Sequence, residues 1–257
     1  MANYLDIQGD EPLCLNGEPL ENAIPFFDWD NFFHRWNMGG ADGGDDRGEA
    51  RRALHTDAQS LLAEIVSGKL LELRGVVRFL PALSHNETVF LFEKRPGVPV
   101  EQHLAAPCAQ FIFPRCRRLR HGRANPCLAD FVLPRESAAG RFDAIGLFAL
   151  SAGFGLERAA GRPDGADSYR AILAGILAGC LAEAWSACVH KRLCKTGIRP
   201  AFGYPCCPNH EDKRVAFKLL NAETLCGMAL TESAMIHPAA SICGMYFLNP
   251  QSFYFNP

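Results

Sequence analysis

A short segment rich in proline and glycine carries the side chains of this chain that are best suited to bind a small polar molecule. It covers residues 197–210 and holds three prolines and two glycines in fourteen residues. Proline fixes its own φ and pushes the preceding residue towards extended geometry, so we expect a stiff, irregular loop. In it, Arg199 offers a planar guanidinium for a carboxylate, and Tyr204 offers a ring face for a cation or a heterocycle. An ordinary connector containing an arginine and a tyrosine fits the same composition equally well.

Glu183 is a second candidate, because it lies within a long predicted helix beside small residues. Ala178, Gly179 and Ala182 flank it, and small side chains let another group approach a helix closely. Its carboxylate could receive the amino group of a ligand or pair with Arg199. A solvent-facing glutamate on an amphipathic helix is the alternative interpretation.

The elements that position these residues follow from hydrophobic periodicity. Helices are predicted over about 47–67 and about 167–195, and a shorter one should open near 209–212. The predicted strands, rich in β-branched and aromatic residues, are 73–80, 88–93, 110–113 and 144–150. A helix, then strands, then helices again indicate an α+β fold rather than alternating βαβ units.

The first 46 residues are predicted to be an accessory segment of a single domain that spans 1–257. Residues 1–30 are interpreted as an extended lead-in, and the Gly/Asp-rich run 39–46 as a linker or lid.

Composition excludes several classes of function. The net charge of −2 gives no electrostatic case for nucleic acid or an anionic membrane, and no uninterrupted apolar run approaches the roughly 20 residues of a membrane span. The polar N-terminus lacks the features of a signal peptide, so we expect a cytoplasmic protein. The arginine-rich run 115–123 is interpreted as a solvated loop between strands rather than a docking patch.

Eleven cysteines are an odd number and are expected to be reduced thiols in such a protein. Cys206, Cys207 and His210, with Cys194 upstream, do not have the spacing of a zinc finger or knuckle, so no metal site is predicted. A thiol-based redox sensor is a remaining minor hypothesis.

The order of residues in the loop adds a more specific indication. The segment RPAFGYP at 199–205 resembles the Arg-x-x-x-Gly-Tyr-Pro loop of the S-adenosylmethionine-binding activation domain of cobalamin-dependent methionine synthase. Similar matches occur in family order along nearly the whole chain. They are the aromatic entry segment 27–36 with its Asp-Trp pair, CLADFV at 127–132, DAIG at 143–146, LTES at 230–233, PAAS at 238–241, GMYF at 244–247 and the tail NPQSFYF at 249–255.

The resemblance implies a single α+β domain with a twisted, mainly antiparallel β-sheet flanked by helices. It implies S-adenosylmethionine as the ligand and cobalamin supplied by a partner protein as the methyl acceptor. A one-electron donor such as a flavodoxin or ferredoxin would provide cob(I)alamin, which attacks the sulfonium methyl group. No nucleophilic triad is then needed, because the corrin supplies the chemistry and the protein supplies placement.

The resemblance also implies roles for individual residues. Arg199 would take the methionine carboxylate, while Asp28 and Glu183 would hold polar groups of the ligand. Tyr204 would lie between the ligand and the corrin, and it is the residue predicted to take part in catalysis. The remaining ligand contacts would come from the backbone of Ala201 and Gly203 at the adenine edge and from the ring of Tyr254 near the adenine. Without the resemblance, Asp28 reads as a turn residue and Tyr254 as a core aromatic.

Two positions depart from the family pattern and leave the interpretation open between two functions. Gly179 stands where the family has an aspartate, and Cys180 where it has an arginine. The sequence also lacks an Asp-x-His-x-x-Gly cobalamin motif, so we expect a free-standing activation subunit that docks on a corrinoid protein. The alternative is a non-catalytic adaptor that binds S-adenosylmethionine or docks on a corrinoid protein and has kept the fold.

Overall fold

The computed structural model describes residues 11–38, 45–93, 106–117, 125–161 and 168–255. Within these ranges, six strands form one sheet, namely β1 Leu13–Cys14, β2 Glu72–His85, β3 Thr88–Leu91, β4 Ala109–Ile112, β5 Asp143–Phe154 and β8 Ser241–Phe247, and a separate short pair is formed by β6 Ala229–Leu230 and β7 Ile236–His237. The strand order in the sheet is β4-β3-β2-β5-β8, with β1 paired to β2 and every pair antiparallel. The predicted α+β class with an antiparallel sheet is confirmed.

Helices cover both faces of this sheet. They are α1 Trp29–Arg35, α2 Asp45–Ser67, α3 Leu156–Ala160, α4 Ser168–Leu193, α5 Asp212–Leu220 and α6 Ala222–Cys226. The apolar side chains of α2 and α4 belong to the core on one face, and those of α5 and α6 belong to the core on the other.

The central strand β5 is buried along almost its whole length because it serves both cores. Side chains alternate across a strand, so Phe148 and Leu150 differ in face from Leu147 and Ala149. Phe148 and Leu150 pack in the core beneath α4, and the other two pack in the core beneath α5. This double burial explains why β5 reads as an unbroken apolar run.

Helix α4 is the main support of the functional residues. Its Trp185 is fully buried above Gly75 of β2, where an added Cβ would lie 2.7 Å from the indole ring. By length and average hydropathy α4 could cross a membrane, but most of its apolar window is buried within the protein. Core helices of globular folds meet the same criteria, and this one packs against β5 and β8.

The predicted helices and strands are confirmed with shifts of a few residues. The helix predicted at 47–67 is Asp45–Ser67, the one at 167–195 is Ser168–Leu193, and the short helix begins at Asp212. Strands β2 and β5 extend beyond the predictions, to His85 and Phe154.

The lead-in prediction is wrong in part. Instead of an extended segment, residues Leu20–Asn22 and Ile24–Phe26 form 3-10 turns, and α1 follows directly. The aromatic residues of α1 cause the difference, since Phe32 is fully buried and Phe33 nearly so. Residues 39–44 of the predicted Gly/Asp-rich linker at 39–46 lie outside the described residues, and residues 45 and 46 belong to α2 instead. Residues 118–123 of the arginine-rich run also lie outside the described residues.

Candidate functional site

A cleft of about 490 Å³ opens between α1, α4 and the loop at 197–210. Asp28 contributes from the start of α1, Glu183 from the middle of α4, and Arg199 and Tyr204 from the loop. These four residues are separated by up to 176 positions in the sequence, yet they line one cavity. The structure thus brings together four of the seven predicted site residues.

Arg199 is held on the cleft wall by two residues of α4. Its Nη1 donates to Ser186 Oγ at 2.7 Å and lies 3.5 Å from Glu183 Oε2. Ser186 Oγ in turn donates to the Glu183 carbonyl at 2.8 Å. Because only Nη1 is engaged by these contacts, the rest of the guanidinium is available for a planar anion.

Tyr204 completes this cluster from the loop. Its hydroxyl donates to Glu183 Oε2 at 3.4 Å. Burial, and then the nearby Glu183 carboxylate, raise the pKa of Tyr204 well above its usual range. The phenol therefore stays protonated and acts as a hydrogen-bond donor at neutral pH.

Asp28 has both of the roles that the sequence left open. It is the N-cap of α1, and its Oδ1 accepts the Asn31 N–H at 3.0 Å. Capping uses one carboxylate oxygen, and the residue also lines the cleft.

The loop is fixed by the strand beneath it. Pro200 and Phe202 exchange backbone hydrogen bonds with Met245 and Cys243, at 2.9 Å and 3.0 Å. The close approach requires glycine at position 244, because a Cβ there would meet the Pro200 carbonyl and lie 2.7 Å from the Ala201 Cα. Strand β8 thereby sets where Arg199 and Tyr204 stand.

Ala201 and Gly203 lie in the tight turn of this loop. Gly203 has φ +104°, a conformation that favours glycine, and its N–H donates to the Cys207 carbonyl at 2.9 Å. The Ala201 carbonyl accepts from Tyr204 N–H at 3.0 Å and from Cys207 Sγ at 2.9 Å. The adenine contacts predicted for these two residues stay a prediction, and they would have to use the opposite backbone groups, Ala201 N–H and Gly203 C=O.

Tyr254 lies behind the loop rather than among the residues that line the cleft. Its hydroxyl accepts the Arg199 backbone N–H at 3.0 Å, and its ring lies 6.5 Å from that of Tyr204. The ring is half exposed, so it remains accessible to a ligand. Its predicted place near an adenine is not tested by this arrangement.

The predicted open face of small residues on α4 is wrong at two of its three positions. Ala178 and Ala182 are buried in the core, and only Gly179 reaches the surface of the helix. Cys180 also points inward, where burial raises the pKa of its thiol to about 11. The rotation of the helix places all three side chains in the buried core that also holds Leu177 and Leu181.

Sequence reasoning missed Ser186, His34 and Arg35. Ser186 lies three residues after Glu183 on α4. The only feature of the sequence that could have identified it is a serine within an apolar, buried stripe of the helix. His34 and Arg35 line the cleft from the last turn of α1, a helix that was not predicted. Among the described residues, no group of His, Cys, Asp or Glu is arranged to hold a metal ion.

A half-buried histidine near Arg199 predicts a pH effect on stability. Burial, and then the positive charge of Arg199, lower the pKa of His190 from 6.5. The unfolded chain therefore binds more protons than the native chain below pH 6.5, and the free energy of unfolding should fall as the pH falls through that region. His190→Gln should show a shallower fall in denaturant titrations between pH 7 and pH 5. The difference in free energy of unfolding between the two proteins at pH 8 provides the reference. If the free energy of unfolding falls with pH equally steeply in both proteins between pH 7 and pH 5, the prediction is wrong.

The arrangement of antiparallel sheet, cleft and loop defines an activation-domain fold, and comparisons with known proteins agree. The chain matches the family described as vitamin B12 dependent methionine synthase, activation domain, over residues 19–196 and 195–257. It therefore belongs to this family. A solved structure described as the MetH reactivation domain bound to AdoHcy superposes with a TM-score of 0.82 at 30% identity, over 97% of this chain and 82% of that one.

Proposed function

We propose that this chain binds S-adenosylmethionine in the cleft and supports reductive methylation of cobalamin carried by a corrinoid partner. The observation that carries the proposal is the convergence of Asp28, Glu183, Arg199 and Tyr204 on one cavity. Membership of the activation-domain family and the AdoHcy found in a related structure support the same ligand class.

The cleft has the chemistry that a sulfonium amino acid needs. Arg199 would bind the carboxylate through the guanidinium edge that Ser186 leaves unused. Glu183 and Asp28 would receive the ammonium group. A carboxylate close to the sulfonium would stabilise the positively charged ground state more than the transition state, in which that charge is lost, and would slow methyl transfer. The carboxylates of Glu183 and Asp28 are therefore better placed at the amino-acid end of the ligand.

Tyr204 is the candidate for the boundary between the ligand and the partner's corrin. Its phenol is held by Glu183, so the ring is oriented before any ligand enters. In the proposed reaction a low-potential donor, such as a flavodoxin or ferredoxin, delivers one electron to the partner's cob(II)alamin. The resulting cob(I)alamin would supply the electron pair of the new cobalt–carbon bond, and the methyl–sulfur bond would break with its electron pair remaining on sulfur. The products would be methylcobalamin and S-adenosylhomocysteine. The protein's part is to hold the methyl group roughly 3–3.5 Å from the attacking atom.

A non-catalytic adaptor is a second candidate, favoured by the α4 face. With Ala178 and Ala182 buried and Arg35 lying over Gly179, the surface that small residues were predicted to open on α4 is reduced, which leaves less room there for a partner's corrin. An adaptor would bind the ligand or dock on the partner without promoting methyl transfer.

The decisive experiment adds components one at a time. The purified chain should bind S-adenosylmethionine in calorimetry without turnover, and methylcobalamin should form only when a cobalamin-loaded partner and a low-potential reductant are both present. The cobalt absorption bands follow the reaction. If methylcobalamin forms equally fast without this chain, the adaptor function takes the place of the activation function. If the chain does not bind S-adenosylmethionine, the activation function is wrong, and if it binds neither the ligand nor the cobalamin-loaded partner, the adaptor function is wrong as well.

A further inference from the structure

Arg35 is a cationic side chain of the cleft that the predicted site does not include. It stands in the last turn of α1, is exposed, and lines the same cavity as Arg199. Among the described residues, its guanidinium is not held by a direct hydrogen bond or ion pair.

Gly179 on α4 leaves the space that this guanidinium occupies. A Cβ at position 179 would lie 2.8 Å from Arg35 Nη1, closer than carbon atoms of this kind approach a neighbour. The helix surface thus forms a notch at a single glycine, and Arg35 lies in it. Gly179 is one helical turn before Glu183, so the notch adjoins the part of the cleft where the amino-acid end of the ligand is proposed to bind.

The two guanidinium groups of the cleft differ in what they already bind. Arg199 gives Nη1 to Ser186 and lies against Glu183, which offsets its charge. Arg35 keeps its full charge and all of its donors. A ligand carboxylate entering the cleft gains more from an uncompensated guanidinium than from one that is already paired.

We propose that Arg35, seated in the notch at Gly179, is a second carboxylate-binding residue of this cleft and contacts the amino-acid end of the ligand together with Arg199. The inference rests on the proposed function, because it assigns a further contact to the same ligand.

The test compares two probes that differ only in the amino-acid part. S-adenosylhomocysteine carries the carboxylate, and 5′-methylthioadenosine lacks it. Arg35→Gln should weaken binding of S-adenosylhomocysteine by about ten- to a hundredfold, as expected for loss of a charge-assisted hydrogen bond, and leave 5′-methylthioadenosine unchanged. Arg141→Gln removes an exposed arginine elsewhere and should change neither affinity.

A double-mutant cycle tests the notch itself. Gly179→Ala should displace the guanidinium and weaken S-adenosylhomocysteine binding several-fold in the native background, but not further in the Arg35→Gln background. Because alanine favours a helix over glycine, the thermal midpoint of Gly179→Ala should not fall, which separates a binding defect from a folding defect.

The outcomes distinguish this inference from the function on which it rests. A native chain that binds neither probe overturns both. A native chain that binds S-adenosylhomocysteine, with Arg35→Gln binding it equally well or losing both probes alike, overturns the inference alone. Additive effects of Gly179→Ala and Arg35→Gln overturn the role of the notch.

Discussion

Replacing Arg199 with alanine is expected to lower the affinity for S-adenosylmethionine by about one to two decades while the fold survives. The residue is the loop's only guanidinium, and a charge-assisted hydrogen bond to a carboxylate contributes roughly 1.5–3 kcal/mol. That range converts to the expected change in dissociation constant at about 1.4 kcal/mol per decade. Calorimetry on the native and variant chains measures it directly.

The effect of Arg199→Ala on stability should be much smaller than its effect on binding. The side chains of Arg199 and Glu183 are each 25% exposed, and partly solvated pairs of this kind contribute little to folding, about 0–1 kcal/mol. Arg199→Lys provides the matched control, since it keeps the charge and loses the planar fork. An intermediate affinity is expected for it. An unchanged affinity in Arg199→Ala would remove Arg199 from the site.

The loop could be predicted from the sequence because local rules control it. Three prolines and two glycines at positive φ fix its backbone, and the structure shows it held as expected. Glu183 was identified through its small neighbours, but for a reason that is wrong in part. Ala178 and Ala182 pack inward, and only Gly179 opens the helix surface, because composition does not say which way a helix is rotated.

The rest of the cleft depends on tertiary contacts that no local pattern records. Helix α1 has seven residues, too few for a clear periodicity, and its position against α4 comes from burial of Phe32 and Phe33. Arg35 enters the cleft only through that packing. Ser186 likewise becomes functional only when the loop brings Arg199 to it.

Strand β8 was missed as an element although its residues were recognised as a motif. Its sequence SICGMYF contains a glycine in the middle, which weakens a strand prediction. The structure explains the glycine: Gly244 lies directly beneath Pro200 and Ala201, so the strand and the binding loop meet there. A residue that looks unfavourable for the strand is therefore required by the site.

Gly244→Ala is expected to damage both the fold and the site. The new methyl group would meet the Pro200 carbonyl and the Ala201 Cα, which are backbone atoms and cannot move like the end of a flexible side chain. Either the loop lifts from β8 or the strand distorts, and the hydrogen bonds from Met245 N–H to Pro200 and from Phe202 N–H to Cys243 weaken. Overpacking of this kind costs about 1–3 kcal/mol of unfolding free energy.

The same displacement should reach Arg199, which precedes Pro200 directly. A shift of the backbone moves the guanidinium away from Ser186 and Glu183, so the affinity for S-adenosylmethionine should fall at least as far as in Arg199→Ala. Hydrogen exchange reports the first step independently of binding, because the amide protons of Met245 and Phe202 should exchange faster in Gly244→Ala than in the native chain.

Gly175→Ala is the matched control for this substitution. Gly175 lies on α4, and a Cβ there meets nothing within 4 Å. Because alanine is favoured over glycine in a helix by up to about 1 kcal/mol, Gly175→Ala should be as stable as the native chain or more so, with unchanged affinity. Chemical denaturation and calorimetry on the two variants distinguish the general effect of adding a methyl group to a glycine from the specific effect of adding it at position 244, under the binding loop. Native stability and native affinity in Gly244→Ala would show that β8 does not hold the binding loop in place.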